Sequence, residues 1–222
     1  MNKEEILNQY FREEKAGKVK LFKHLNLHVK KGQILFTGSS LMEQFPVNEI
    51  QQKYDLGAII YNRGIGGFTI PEMLDAVEEQ ILELEPAVIF LNIGTNDISA
   101  QEWSKETFEG DYRRLLEIIK ERLPKTGVFL MKYYPVNEEV AEQMPGDGYI
   151  RTVRYRMERM ETANQVVCDL AHEFGYQYID VNSGIVDFNG QVKKELSKDG
   201  IHLWPEAYEI IFENMKPYIL ES

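Results

Sequence analysis

Five short apolar runs divide this chain, and the stretches between them carry helical spacing. The runs are residues 33–37, 58–62, 88–93, 128–131 and 176–181, as in Val88-Ile89-Phe90-Leu91-Asn92-Ile93. Each is only four to six residues long and most are apolar throughout, without strict alternation. A strand of that kind must be covered on both faces, so the pattern predicts a parallel sheet between two layers of helices. The intervening helices are predicted at 69–84, 104–122, 150–174 and 205–219, with further helical segments between the first two strands up to about Tyr54. In the first of these, Met73, Leu74, Val77, Ile81 and Leu84 recur at helical spacing. In the second, Phe108, Tyr112, Leu115, Leu116 and Ile119 do. Thr69 and Glu72 stand at capping-box spacing, and Pro71 and Pro205 suit first turns.

The alternation begins only at residue 33. Before it, residues 2–15 predict a solvated helix with Ile6, Leu7, Tyr10 and Phe11 on one face, ended by Gly17. Residues 18–31 are basic, with Leu21, Phe22, Leu25 and Leu27 as anchors, and carry no assignable pattern. The expectation is one domain over 1–222, with 1–31 as a helical extension packed on or beside it. Repeats, low-complexity tracts and linkers are absent from the sequence. The one long irregular stretch, 133–148, leaves the fourth strand and holds Pro135, Pro145, Gly146 and Gly148. Long loops in compact domains are usually functional or disordered.

A formal charge of -11 argues against nucleic-acid or anionic membrane surfaces as partners. The single cysteine, Cys168, has no internal disulfide partner and lies in an apolar stretch that suits core packing. The first residues are polar, and no run is long enough to insert in a membrane, so a cytoplasmic setting is expected. No His, Cys or carboxylate cluster has metal-ligand spacing.

Four short stretches lie at predicted element ends. Gly38-Ser39-Ser40-Leu41 puts a serine where a strand gives way to a helix. An N-cap is the competing role, with Glu43 three residues after Ser40, and Met42 stands where the nucleophile elbow G-x-S-x-G needs glycine. Gly64-Ile65-Gly66-Gly67 is a tight turn or a place where backbone approaches a ligand; Thr69 breaks the dinucleotide fingerprint. Gly94-Thr95-Asn96-Asp97 holds either a turn asparagine or an amide donor for an oxyanion, with Asp97 as a brace. In Asp199-Gly200-Ile201-His202 the short separation lets the carboxylate reach the imidazole Nδ1–H and set its tautomer. His24, His28 and His172 fall in structural or solvated settings.

Taken in order, these four blocks resemble the SGNH or GDSL-type serine hydrolases, over roughly residues 33–220. The resemblance implies Ser40 as nucleophile, with Asp199 and His202 completing a triad. It implies an oxyanion hole from the Ser40 and Gly67 N–H groups and the Asn96 amide. It also implies a flavodoxin-like three-layer α/β/α sandwich whose five parallel strands run in the order 2-1-3-4-5. The reaction implied is hydrolysis of a small-molecule ester without metal or cofactor. Ser39 replaces the Asp of the family's first block, Phe68 follows the glycine pair where a polar residue is frequent, and Trp204 stands where a small hydroxyl residue is common. The departures at Phe68 and Trp204 bear on substrate and make both candidate substrate-binding residues; Tyr134 is a further candidate. Glu138, Glu139, Glu142 and Asp147 lie in the loop after the fourth strand; if that loop borders the site it favours a small neutral acyl ester over an anionic one, and a solvated loop that never touches substrate is the alternative. Arg151, Arg154, Arg156 and Arg159 read as a solvated ion-pair face. A lysophospholipase or thioesterase, and a non-catalytic ligand-binding module on the same fold, are the alternatives. The sequence leaves oligomeric state open.

Overall fold

The computed structural model describes residues 2–220. Its sheet consists of β1 (Ile34–Gly38), β2 (Ile60–Gly64), β3 (Val88–Asn92), β4 (Gly127–Met131) and β5 (Gln177–Ile179). All pairings are parallel, and the order is β2-β1-β3-β4-β5, as expected. Successive side chains of a strand point to opposite faces, which explains why these runs are apolar throughout. Leu35, Ile89, Leu91 and Leu130 pack beneath α6 (Lys105–Arg122) and α8 (Asp147–Phe174). Ile34, Phe36, Phe90 and Phe129 face the other way, against α9 (Pro205–Leu220) and its Tyr208, Ile211 and Phe212. Phe36, Phe90 and Phe129 form a ladder across three strands, with centroids 5.2 and 4.8 Å apart.

Between β1 and β2 lie α2 (Ser40–Glu43) and α3 (Val47–Tyr54). The helix expected over 69–84 is broken into α4 (Ile70–Asp75), α5 (Val77–Gln80) and a 3-10 turn, because Ala76 and Ile81 leave helical dihedrals. Thr69 does cap α4 in a full capping box with Glu72. The loop after β4 contains a single turn, α7 (Glu138–Ala141), capped by Asn137.

The N-terminal region departs most from expectation. A single helix, α1 (Lys3–Asn26), runs straight through Gly17. A glycine inside a helix costs about 1 kcal/mol relative to alanine. Burying a Phe side chain recovers roughly 1.5–3 kcal/mol, and Phe22 is buried in the core that α1 joins. Phe22 is the only one of the four expected anchors that packs: Leu21, Leu25 and Leu27 are exposed. Asn26 fastens the helix end. Its amide donates to Glu79 O at 2.8 Å and its oxygen accepts from Arg63 Nε at 3.0 Å.

The strand order positions the cleft. Because β1 lies between β2 and β3, the chain leaves β1 toward one side of the sheet and later returns on the other. The crevice outside the carboxyl ends of such strands is where open α/β sheets bind ligands. Ser40, Gly67 and Asn96 all follow those ends.

Candidate active site

Ser40 opens α2 directly beyond β1. The Met42 and Glu43 N–H groups both bond to Ser39 O, at 3.1 and 2.9 Å, so the helical turn starts at Ser40. The N-cap alternative does not form. Ser39 is the capping residue but its buried hydroxyl caps nothing, and the Glu43 carboxylate lies 2.6 Å from Lys18 Nζ instead. The Ser40 hydroxyl therefore remains free to meet His202, with Oγ 3.0 Å from Nε2. Tyr208 fixes the turn from α9 by donating to Leu41 O at 2.8 Å.

His202 and Asp199 sit on a tight excursion closed by an antiparallel bridge between Ser197 and Leu203. One carboxylate oxygen of Asp199 accepts from the Ile201 and His202 N–H groups, at 2.9 and 2.8 Å. The other lies 2.7 Å from His202 Nδ1. That bond makes Nδ1 the protonated nitrogen and leaves Nε2 to accept from Ser40. Burial pushes the Asp199 carboxyl up, but the bonds from His202 and Ile201 outweigh it and hold it well below the usual carboxylate range. Gly200 adopts φ +96°, and a Cβ there would lie 2.6 Å from Asn137 O, so only glycine fits this corner.

The oxyanion candidates lie across the cleft. The backbone N–H groups of Ser40 and Gly67 have no hydrogen-bond partner among the described residues. The Asn96 amide donates to Phe68 O at 2.8 Å, which orients it beside the glycine turn. Asp97 braces as expected. Its carboxylate accepts from Ile70 N–H at 3.1 and 3.2 Å, and burial pushes its carboxyl up to about 6.

Arg156 departs from the expected solvated face. It is only 3% exposed, and its Nε donates to Ser99 Oγ at 2.9 Å, while Ser99 donates to Thr95 O at 2.6 Å. Arg159 donates to Ile98 O at 3.1 Å. Two of the four arginines thus hold the loop that carries Asn96, and only Arg154 keeps the expected exposed pairing, with Glu138 and Glu142. The buried Tyr149 hydroxyl faces Asp199, and burial together with that carboxylate raises it well above its ordinary value. Sequence reasoning missed Ser197, Asn137, Tyr149 and Arg156. A signal existed for Arg156, which sits at helical spacing with Val153 and Met160 on the apolar face of α8.

A cavity of about 730 Å³ opens on Ser40, Gly66 and Gly67, and its opposite wall is α1, through Asn8, Phe11 and Arg12. The N-terminal helix is therefore part of the cleft. Phe68 and Tyr134 are not on its walls: they are 3% and 1% exposed, because the apolar core on either side of the sheet absorbs them. Trp204 is 46% exposed, with Lys198 over its ring. Glu138 and Glu142 share the single charge of Arg154 and Glu139 pairs with Lys194, so these three glutamates are largely but not fully neutralised toward an anionic substrate.

A profile of the GDSL-like lipase/acylhydrolase family matches residues 40–210, well over half of the chain. The chain belongs to the GDSL-like lipase/acylhydrolase family. A Streptococcus pneumoniae protein whose structure bears the name platelet activating factor is similar over 97% of both chains, with 28% identity and a TM-score of 0.84. A GDSL-like lipase from Bacteroides thetaiotaomicron shares the fold at 20% identity and a TM-score of 0.74, covering 91% of this chain and 97% of its own. Platelet-activating factor acetylhydrolase IB subunit alpha2 of Rattus norvegicus is 23% identical over 193 residues, 86% of this chain and 78% of that protein. As a GDSL-family member the protein is a hydrolase of the esterase or acylhydrolase class. Among its described residues no helix is long and apolar enough to cross a membrane, and no group of three or more His, Cys, Asp or Glu is placed to hold a metal.

Proposed function

We propose that the protein is a serine esterase that removes a small neutral acyl group, acetyl foremost, from an alcohol through Ser40, His202 and Asp199. The observation that carries this reading is the unbroken chain from Ser40 Oγ to His202 Nε2 and from His202 Nδ1 to Asp199, at 3.0 and 2.7 Å. Ser40 Oγ attacks the ester carbonyl carbon while its proton passes to Nε2. The oxygen that gains charge is held by the Ser40 and Gly67 N–H groups and the Asn96 amide. The tetrahedral adduct collapses, His202 returns the proton to the departing alcohol, and water attacks the acyl-enzyme by the same route.

Two lines support a small acyl group. Phe11 is the one large apolar side chain among the residues lining the cavity at Ser40, a poor match for a long fatty chain. An acetylhydrolase subunit and an acetylxylan esterase from Geobacillus stearothermophilus are also among the similar proteins; the latter shares the fold at 19% identity, covering 86% of this chain and 95% of its own, with a TM-score of 0.63. The test is labelling of Ser40 by a fluorophosphonate, followed by a series of p-nitrophenyl esters of increasing acyl length. Labelling at Ser40 with kcat/KM highest for acetate is expected. No labelling sinks the assignment, and a maximum at long chains sinks the acyl preference alone.

The Asn96 amide should act mainly in the transition state, where the oxygen carries charge. Asn96→Ala should lower kcat by about 10²–10³ with a far smaller change in KM. Steady-state kinetics on one ester decides this, and a rise in KM alone would recast Asn96 as a ground-state binding residue.

A further inference from the structure

We propose that α1 is a working part of the active site and that its Lys15 is a positioning residue, holding Gly67, and with it the turn that presents the Gly67 N–H, in place against the cleft. The proposal rests on the esterase assignment above.

The need for such a residue comes from the turn itself. Residues 65–68 are closed by the Phe68 N–H bonding to Ile65 O at 3.2 Å. Gly67 sits at φ +72°, the value a type II turn demands at its third residue. The peptide between the two central residues is the one that carries the Gly67 N–H. With glycine at both central positions no Cβ stiffens the turn, so the place of that N–H depends on what the turn is tied to.

Lys15 supplies the restraint. Its ammonium donates to Gly67 O at 2.8 Å and to both oxygens of Glu72, at 2.7 and 2.9 Å. Its Cε lies 3.2 Å from where a Cβ on Gly67 would be, so the lysine stem lies against the turn. Glu72 is itself fixed, since its Oε2 accepts from the Thr69 N–H at 2.9 Å in the α4 capping box. The ammonium thus joins the first turn of α4 to the carbonyl of the oxyanion glycine. Its charge is matched by Glu72, so it acts by holding geometry. The helix that carries Lys15 is in turn tied down by Lys18 to Glu43, at 2.6 Å, and by Asn26. A residue that only docked α1 would affect stability and leave the chemistry alone.

The experiment compares the full-length parent with Lys15→Met and Lys15→Arg. Lys15→Met should lower kcat about 10–100-fold, less than outright loss of an oxyanion donor, with KM within about twofold. It should weaken a boronic acid inhibitor by a similar factor, because the boronate becomes a tetrahedral anion on Ser40. Lys15→Arg should restore part of both. Fluorophosphonate labelling of the parent separates the two levels: no label on Ser40 defeats the esterase assignment itself. With Ser40 labelled, a parent-like kcat in folded Lys15→Met, or a rise in KM alone, overturns the role given to Lys15. Where Lys15→Met fails to fold, Glu72→Gln decides. It keeps the capping hydrogen bond but loses the charge that holds the ammonium, and a parent-like kcat in that variant overturns the proposal equally.

Discussion

Ser40→Ala should eliminate the burst of acyl-enzyme and lower kcat by about 10⁶, the scale seen when a triad nucleophile is removed. The fold should survive, because the hydroxyl points into the cleft and its only side-chain partner among the described residues is His202. Ser39→Ala is the informative companion. The Ser39 hydroxyl is buried without a partner among the described residues, so its loss should leave turnover close to that of the parent. Pre-steady-state kinetics with p-nitrophenyl acetate reads both. Full activity in Ser40→Ala together with loss in Ser39→Ala would shift the register of the site by one residue and overturn the mechanism.

The second large effect concerns Asp199. An Asn at this position can still accept from the Ile201 and His202 N–H groups through its oxygen. The group facing Nδ1 becomes an amide donor and favours the wrong imidazole tautomer, so Asp199→Asn should cost about 10⁴ in kcat. The pH behaviour follows from the same contacts. Asp199 stays ionised well into the acid range because its carboxyl is held well below the usual carboxylate value. A carboxyl depressed in the folded state contributes stability that is fully present above its unfolded pKa, about 3.9, and is lost as pH falls through the folded value. The stability difference between parent and Asp199→Asn should therefore be largest near neutrality and shrink below about pH 4. Urea midpoints at several pH values test this, and near-parent activity in Asp199→Asn would mean that another group orients His202.

Much of this protein is legible in its sequence because the signals are local. Uninterrupted apolar runs require cover on both faces, which dictates a buried parallel sheet. The element ends that carry Ser40, Gly67, Asn96 and the Asp199–His202 pair follow from spacing along the chain. The capping box at Thr69 likewise needs only two residues three apart. The resemblance of the four blocks to a hydrolase family supplied the strand order, which the structure bears out.

Tertiary structure alone decided the rest, since those choices depend on what arrives from far along the chain. Whether Ser40 caps a helix or faces an imidazole depends on His202, 162 residues away. Gly17 looks like a stop until Phe22 has a core to enter. Phe68 and Tyr134 look like cleft walls until the two apolar layers take them in, and Trp204 is left at the surface. Arg156 belongs to a charged run in sequence, yet burial makes it a support for the loop that bears Asn96. The contact between Lys15 and Gly67 spans 52 residues and has no local signature, because neither a lysine on a helix nor a glycine in a turn records its partner. Chain geometry fixes spacing within an element, whereas side-chain roles in a cleft are set by which elements the packed core brings face to face.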